Sequence, residues 1–237
     1  MNHKTYYIFD LDGTLTDPVV GITTCVQYAL AAYGIHEPDR SKLTKFIGPP
    51  LVSAFMEFYG VDAHTAQGML EKYRERFAAV GMYENELYPE IPALLSALKQ
   101  RGKKVGLATS KPLIHSEEIL RHLGILPYFD VLAGASMDGS CNTKEEVLVQ
   151  ALNQIELLEE GKISPWKGDQ KPLLKKETAA KCVMIGDRKY DILGGRHFEM
   201  DTIGVLYGYG SREEFTAAGA GLIVESVTEL QSVLLSD

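Results

Sequence analysis

An α/β fold, with a parallel sheet covered by helices on both faces and a small all-helical insert after the first strand, is what this 237-residue chain predicts. Three observations carry that expectation. From residue 88 onward, short apolar runs alternate with stripes at helical spacing. No strand-like run interrupts residues 17–86. The first strand climbs into a turn that holds two acids, Asp10 and Asp12, and acids recur at the end of a later strand.

Each element follows from local pattern. Residues Thr5 to Phe9 are aromatic and β-branched and predict the first strand. In the insert, Ile22, Cys25, Val26, Ala29, Leu30 and Tyr33 mark one helix that stops near Gly34. Leu51, Val52, Phe55, Met56 and Tyr59 mark a second, entered through Gly48-Pro49-Pro50, and Met69, Leu70, Tyr73, Phe77 and Val80 mark a third. Back in the sheet region, Pro89 suits a first helical residue, Leu94, Leu95 and Leu98 form a buried stripe, and Gly102 ends it. Val105 to Ala108 predicts a strand that finishes in Thr109-Ser110-Lys111-Pro112, followed by a helix through Ile119, Leu120 and Leu123. A strand at Phe129 to Ala133 and a helix carrying Val147, Leu148, Ala151, Leu152, Ile155 and Leu158 come next. Strands at Cys182–Ile185, Thr202–Leu206 and Leu222–Val224 and a helix near Val227–Leu235 complete a Rossmann-like order. The boundaries this implies are a core of residues 1–16 and 87–237 and a helical cap of residues 17–86.

Composition narrows the function. The net charge of −8 disfavours nonspecific binding to nucleic acid or to an anionic membrane, and no apolar run reaches membrane-spanning length. The three cysteines form no close pair and the chain opens without a leader pattern, so a reduced, cytoplasmic setting is expected. The connection from Glu159 to Ala180 is long and includes Trp166; between Gly161 and Lys181, six lysines face only Asp169 and Glu177, which reads as a solvated excursion. The sequence gives no oligomeric state.

The chemistry begins at Asp10 and Asp12. In an extended chain, positions i and i+2 share a face roughly 6.6 Å apart, so the two carboxylates call for a divalent cation, a held proton, or both. Ligands of open parallel sheets gather beyond the carboxyl ends of strands, and four signals fall there: Asp10 with Asp12, then Thr109, Lys144, and Asp187 with Asp191. Thr109 fits a phosphate-oxygen donor or a helix cap. Thr143 and Glu146 have capping-box spacing, which puts Lys144 in the first turn of a helix, where the dipole disfavours a cation by about 0.3–1 kcal/mol; a bound anion would explain it, as would simple exposure. Asp187 follows a glycine at a strand end and suits a hard cation. Asp191 fits the same role or a cap, or a pair with Arg188 or Lys189.

Asp10-Leu11-Asp12-Gly13-Thr14, Thr109, Lys144 and Gly186-Asp187 with Asp191 together resemble the four motifs of the haloacid dehalogenase-like phosphohydrolases, across nearly the whole chain. The insert resembles the small cap of the phosphoglycolate phosphatase and 5′-nucleotidase-like branch, as do Gly48-Pro49-Pro50-Leu51 and the Gly204 to Gly210 stretch. Ser110, where many relatives carry asparagine, departs from the pattern, as does the long Glu159 to Ala180 connection. The resemblance implies a small phosphorylated substrate, magnesium held by Asp10, Asp187 and the Asp12 backbone carbonyl with Asp191 as a further ligand, Asp10 as nucleophile, Asp12 as acid and base, and Thr109, Ser110 and Lys144 as phosphate ligands. It ranks phosphoglycolate first and nucleoside monophosphates second. Two rivals share the strand-end chemistry: 2-haloacid dehalogenation, which needs no proton donor at Asp12, and a receiver-type signalling domain, which lacks a helical insert.

Overall fold

The computed structural model describes residues 4–161 and 176–236. Of the lysine-rich connection, Lys162, Trp166, Lys167, Lys171 and Lys175 therefore lie outside the described residues. In chain order, β1 (Tyr6–Phe9) and β2 (Thr16–Asp17) lead to α1 (Val19–Ala32), a 3-10 helix at Arg40–Phe46, α2 (Leu51–Tyr59), α3 (Ala63–Ala79) and β3 (Glu86–Leu87). Then follow α4 (Ile91–Gln100), β4 (Lys104–Pro112), α5 (Leu113–His122), β5 (Val131–Ala135), α6 (Lys144–Glu159) and α7 (Lys176–Ala180). The chain closes through β6 (Cys182–Gly186), α8 (Lys189–His197), β7 (Asp201–Val205), α9 (Arg212–Ala218), β8 (Leu222–Val224) and α10 (Val227–Leu235).

The chain divides into two compact units, one built from the residues up to Leu15 and from Leu87 on, the other from Thr16–Glu86. In the first, six strands run in the order β5-β4-β1-β6-β7-β8 and every pairing is parallel. Every residue of β1 is buried, as a strand covered on both faces must be. Tyr6 and Ile8 share a cluster with Val147, Leu148, Ala151, Leu152 and Ile155 of α6, while α4 and α10 pack together, with α4 against β4. The chain steps outward from β1 to β4 and β5, then returns to the other side of β1 for β6, so the strand order reverses at β1. That reversal opens the crevice in which doubly wound sheets hold their ligands. The Tyr88 amide donates to the Leu15 carbonyl at 3.2 Å, so the first unit closes on itself where the insert departs and returns.

The second unit packs α1, the 3-10 helix, α2 and α3 around Leu30, Leu43, Phe46, Phe55, Met69 and Phe77. Phe46 meets Phe55 and Phe58 at centroid distances of 5.0 and 5.2 Å. No helix among the described residues is long and apolar enough to cross a membrane.

Several boundaries move from expectation. Helix α4 starts at Ile91 and not at Pro89, because it is Pro92 that occupies the first turn, where a missing amide costs nothing. Strand β5 lies two residues further on than the Phe129–Ala133 pattern, since Leu126–Tyr128 form a 3-10 turn ahead of it.

Candidate active site

Strand β1 delivers Asp10 at its carboxyl end, and the Asp10 amide donates to the Ile185 carbonyl at 2.9 Å, extending the ladder by one step. The chain then turns: the Leu15 amide closes on the Leu11 carbonyl at 2.9 Å, and Gly13 adopts φ +77°. Glycine is required there twice over, by the left-handed backbone and because a Cβ at Gly13 would lie 2.0 Å from Asp187 Oδ2.

Asp187 and Asp191 follow the neighbouring strand, Asp187 in the turn after β6 and Asp191 in the first turn of α8. β6 ends at Gly186, where a Cβ would lie 2.1 Å from the Asp191 carboxyl carbon. The Tyr209 amide donates to Asp187 Oδ2 at 2.8 Å, and the Arg188 amide donates to Asp191 Oδ2 at 3.1 Å. One carboxylate oxygen from each of Asp10, Asp187 and Asp191 lies within 4.8 Å of the others. Burial pushes Asp187 well above the ordinary aspartate range, and repulsion from Asp191 and Asp10 adds to it. Burial likewise raises Asp191 to about 6, against the opposing pull of Lys144.

Lys144 is the cation of this cluster. The capping box of Thr143 and Glu146 forms, Lys144 opens α6, and its side chain is 3% exposed. Its Nζ lies 3.0 Å from Asp10 Oδ1 and 2.7 Å from Asp191 Oδ1, and donates to the Ala108 carbonyl at 2.8 Å. Burial alone would pull this ammonium down, but Asp10 and Asp191 outweigh it and hold it charged. The anions that answer a lysine at this helix start are thus two carboxylates of the protein itself. Exposure, the plainer reading of Lys144, is excluded.

Asp12 stands apart. Its side chain is not in the three-acid cluster; Oδ2 pairs with Lys111 Nζ at 2.8 Å, while Oδ1 is buried without a hydrogen-bond partner. Burial raises the Asp12 carboxyl, and Lys111 works against that shift. Thr109 is buried at the end of β4 and its Oγ1 accepts from the Lys111 amide at 3.2 Å. Ser110, the next residue, is half-buried and adds no hydrogen bond to the cluster. Sequence reasoning singled out neither Lys111 nor Tyr209. A lysine two positions beyond Thr109 at the same strand end was the available signal for the first; nothing in sequence marks a backbone amide such as that of Tyr209.

These residues fit a hard divalent cation. Three carboxylates converge, Lys144 pairs with only two of them, and the donor set is all oxygen. The family profile described as haloacid dehalogenase-like hydrolase matches residues 7–205. The chain belongs to the haloacid dehalogenase-like hydrolases. This hydrolase is 41% identical to a 5′-nucleotidase of Pseudomonas aeruginosa, over 97% of this chain and 95% of the relative. It is 34% identical to the tyrosine-protein kinase PtkA of Mycobacterium tuberculosis, over 96% of this chain and 71% of that one. It is 28% identical to a phosphoglycolate phosphatase of Vibrio parahaemolyticus, over 95% and 94%. Among solved structures, a predicted phosphatase from Clostridium acetobutylicum superposes with a TM-score of 0.84 at 42% identity, covering 99% of both chains. Phosphatase is the activity most of these names carry, and it is the class of this enzyme.

Proposed function

We propose that this hydrolase is a magnesium-dependent phosphomonoesterase that works through an aspartyl-phosphate on Asp10. The observation that carries the reading is the convergence of Asp10, Asp187 and Asp191 within 4.8 Å, with Lys144 lying 3.0 Å from the first and 2.7 Å from the last. Asp10 attacks phosphorus in line as the bond to the leaving oxygen breaks, and Asp12 gives that oxygen a proton. Water then attacks the aspartyl-phosphate, Asp12 takes the proton back, and inorganic phosphate leaves with Asp10 regenerated. Asp12 fits the acid role because its carboxyl is raised, and the same proton donor argues against halide displacement. Lys144 holds the Asp10 carboxylate in place and, with Thr109, balances charge on the equatorial phosphoryl oxygens. Asp10, Asp187 and Asp191, with the Asp12 carbonyl, would hold magnesium, which offsets the repulsion between these carboxylates and a phosphate.

The substrate is a small phosphorylated metabolite. Likeness to the Pseudomonas 5′-nucleotidase, higher and as long as that to the phosphoglycolate phosphatase, supports nucleoside 5′-monophosphates ahead of phosphoglycolate and reverses the order expected from sequence. A second reading rests on the likeness to PtkA: transfer of a phosphoryl group to a tyrosine hydroxyl.

The test is phosphate release from a panel of nucleoside monophosphates, phosphoglycolate, pyrophosphate and sugar phosphates with magnesium, alongside mass spectrometry of the quenched enzyme. Wild type should show an added phosphoryl group on Asp10, and Asp10→Asn should lose both that adduct and at least about 10³-fold of the rate. No release from any compound would defeat the phosphatase reading. Phosphotyrosine formed from ATP in place of free phosphate would favour the second reading.

A further inference from the structure

Lys111 is the charged residue of the site that the reaction above does not use. Its placement is built in three steps. β4 pairs Thr109 with Gly134 and then Pro112 with Ala135, so Ser110 and Lys111 are looped out of the ladder at the carboxyl end of the sheet, the kind of irregularity that re-aims a side chain. Pro112 restricts the residue before it to extended backbone. The Lys111 amide is then tied to Thr109 Oγ1 at 3.2 Å. The outcome is a lysine only 7% exposed, with Nζ 2.8 Å from Asp12 Oδ2.

A sheltered ion pair is costly in desolvation and gives little stability, so its presence asks for another reason. The other Asp12 oxygen supplies it. Oδ1 is buried with no hydrogen-bond partner, a state that is unfavourable unless something else fills it. We propose that Lys111 is a positioning residue: by clamping Oδ2 it fixes the Asp12 carboxyl so that Oδ1 is the oxygen that meets the leaving group. The inference rests on the phosphatase reading above. In the first step the proton on Oδ1 passes to the leaving oxygen as the phosphorus bond to it breaks and the bond to Asp10 forms. In the second, Oδ1 takes a proton from the attacking water. Lys111 acts only by holding Oδ2. Its importance therefore scales with how much the leaving oxygen needs a proton.

Two aryl esters make the test: phenyl phosphate, whose phenoxide leaving group is basic, its conjugate acid having a pKa of about 10, and p-nitrophenyl phosphate, whose leaving group departs without help. Rapid-quench kinetics on the magnesium-loaded enzyme should show Lys111→Met slowing aspartyl-phosphate formation from phenyl phosphate by about 10²-fold or more, and from p-nitrophenyl phosphate by less than about 10-fold. Because the second step also needs Asp12, p-nitrophenol should appear in a burst while phosphoenzyme accumulates. Lys111→Arg should restore both behaviours. Should Lys111→Met fail to fold, Lys111→Gln carries the same expectation in the same direction. Equal slowing of both esters, or a rise in KM with kcat unchanged, would overturn the assignment. A wild-type enzyme that forms no phosphoenzyme from either ester would instead overturn the phosphatase reading itself.

Discussion

Glu84 in the helical unit and Asp187 in the sheet unit are both acids fixed by hydrogen bonds, and they are treated in opposite ways. Arg76 grips Glu84 with two bonds of 2.7 and 2.9 Å and holds it below the usual glutamate range. Glu75, between Lys72 and Tyr28, is lowered too, as are Asp39 and Asp62, which accept amides at helix starts. Asp187, Asp191 and Asp12 are all raised, by burial first and then, for Asp187, by crowding of like charge. The helical unit uses carboxylates to hold itself together. The sheet unit keeps three acids where each makes folding harder, which is the mark of a place maintained for chemistry.

Three variants would break or sharpen that contrast. The largest effect belongs to Lys144→Met, which strands Asp10 and Asp191 in a buried site; a loss of about 3–5 kcal/mol in urea unfolding is expected, together with at least a 100-fold drop in phosphate release. A loss below about 1 kcal/mol would mean that the site charges behave like the surface pairs of the helices. Asp187→Asn comes next and carries the opposite sign. With EDTA present it should raise stability by roughly 1 kcal/mol, whereas in magnesium its activity should collapse, and a lowered melting temperature in EDTA would contradict the claim that these acids destabilise the fold.

The smallest effect is that of Glu84→Gln, about 1 kcal/mol of destabilisation at pH 7. Since Glu84 is depressed in the folded state, its contribution is complete above the unfolded value of about 4.3 and disappears as pH falls through the lower folded value. Variant and wild type should therefore converge in urea midpoint once the pH has fallen below that folded value; a gap that persists there would show that packing, and not charge, is what the pair provides.

What the sequence disclosed depended on where burial was symmetrical. β1 and β6, buried along their whole length, were readable as apolar runs, and the Thr143 to Glu146 capping box marked the start of α6. α8 was not, because Lys189–His197 has few apolar residues and two glycines that lower its intrinsic helicity. Tertiary packing demands those glycines: a Cβ at Gly194 would lie 2.8 Å from Lys144 Cγ, and one at Gly195 would lie 2.7 Å from Thr202 Cγ2. α3 begins at Ala63, well before its apolar stripe, because Asp62 caps it by accepting the Thr65 amide at 2.8 Å. Motif spacing brought Asp10, Lys144, Asp187 and Asp191 into consideration, and the structure brings these four together. The pairing of Asp12 with Lys111 escaped, since an irregularity in β4 sets it and no periodicity announces one.

The hydrogen bond from Tyr88 to Leu15 has a consequence for ancestry. A detour whose two ends are already stitched side by side adds little closure entropy of its own to the sheet that carries it. Evolution could lengthen, shorten or replace everything between those anchors without reinventing the buried charges at the carboxyl ends of the strands.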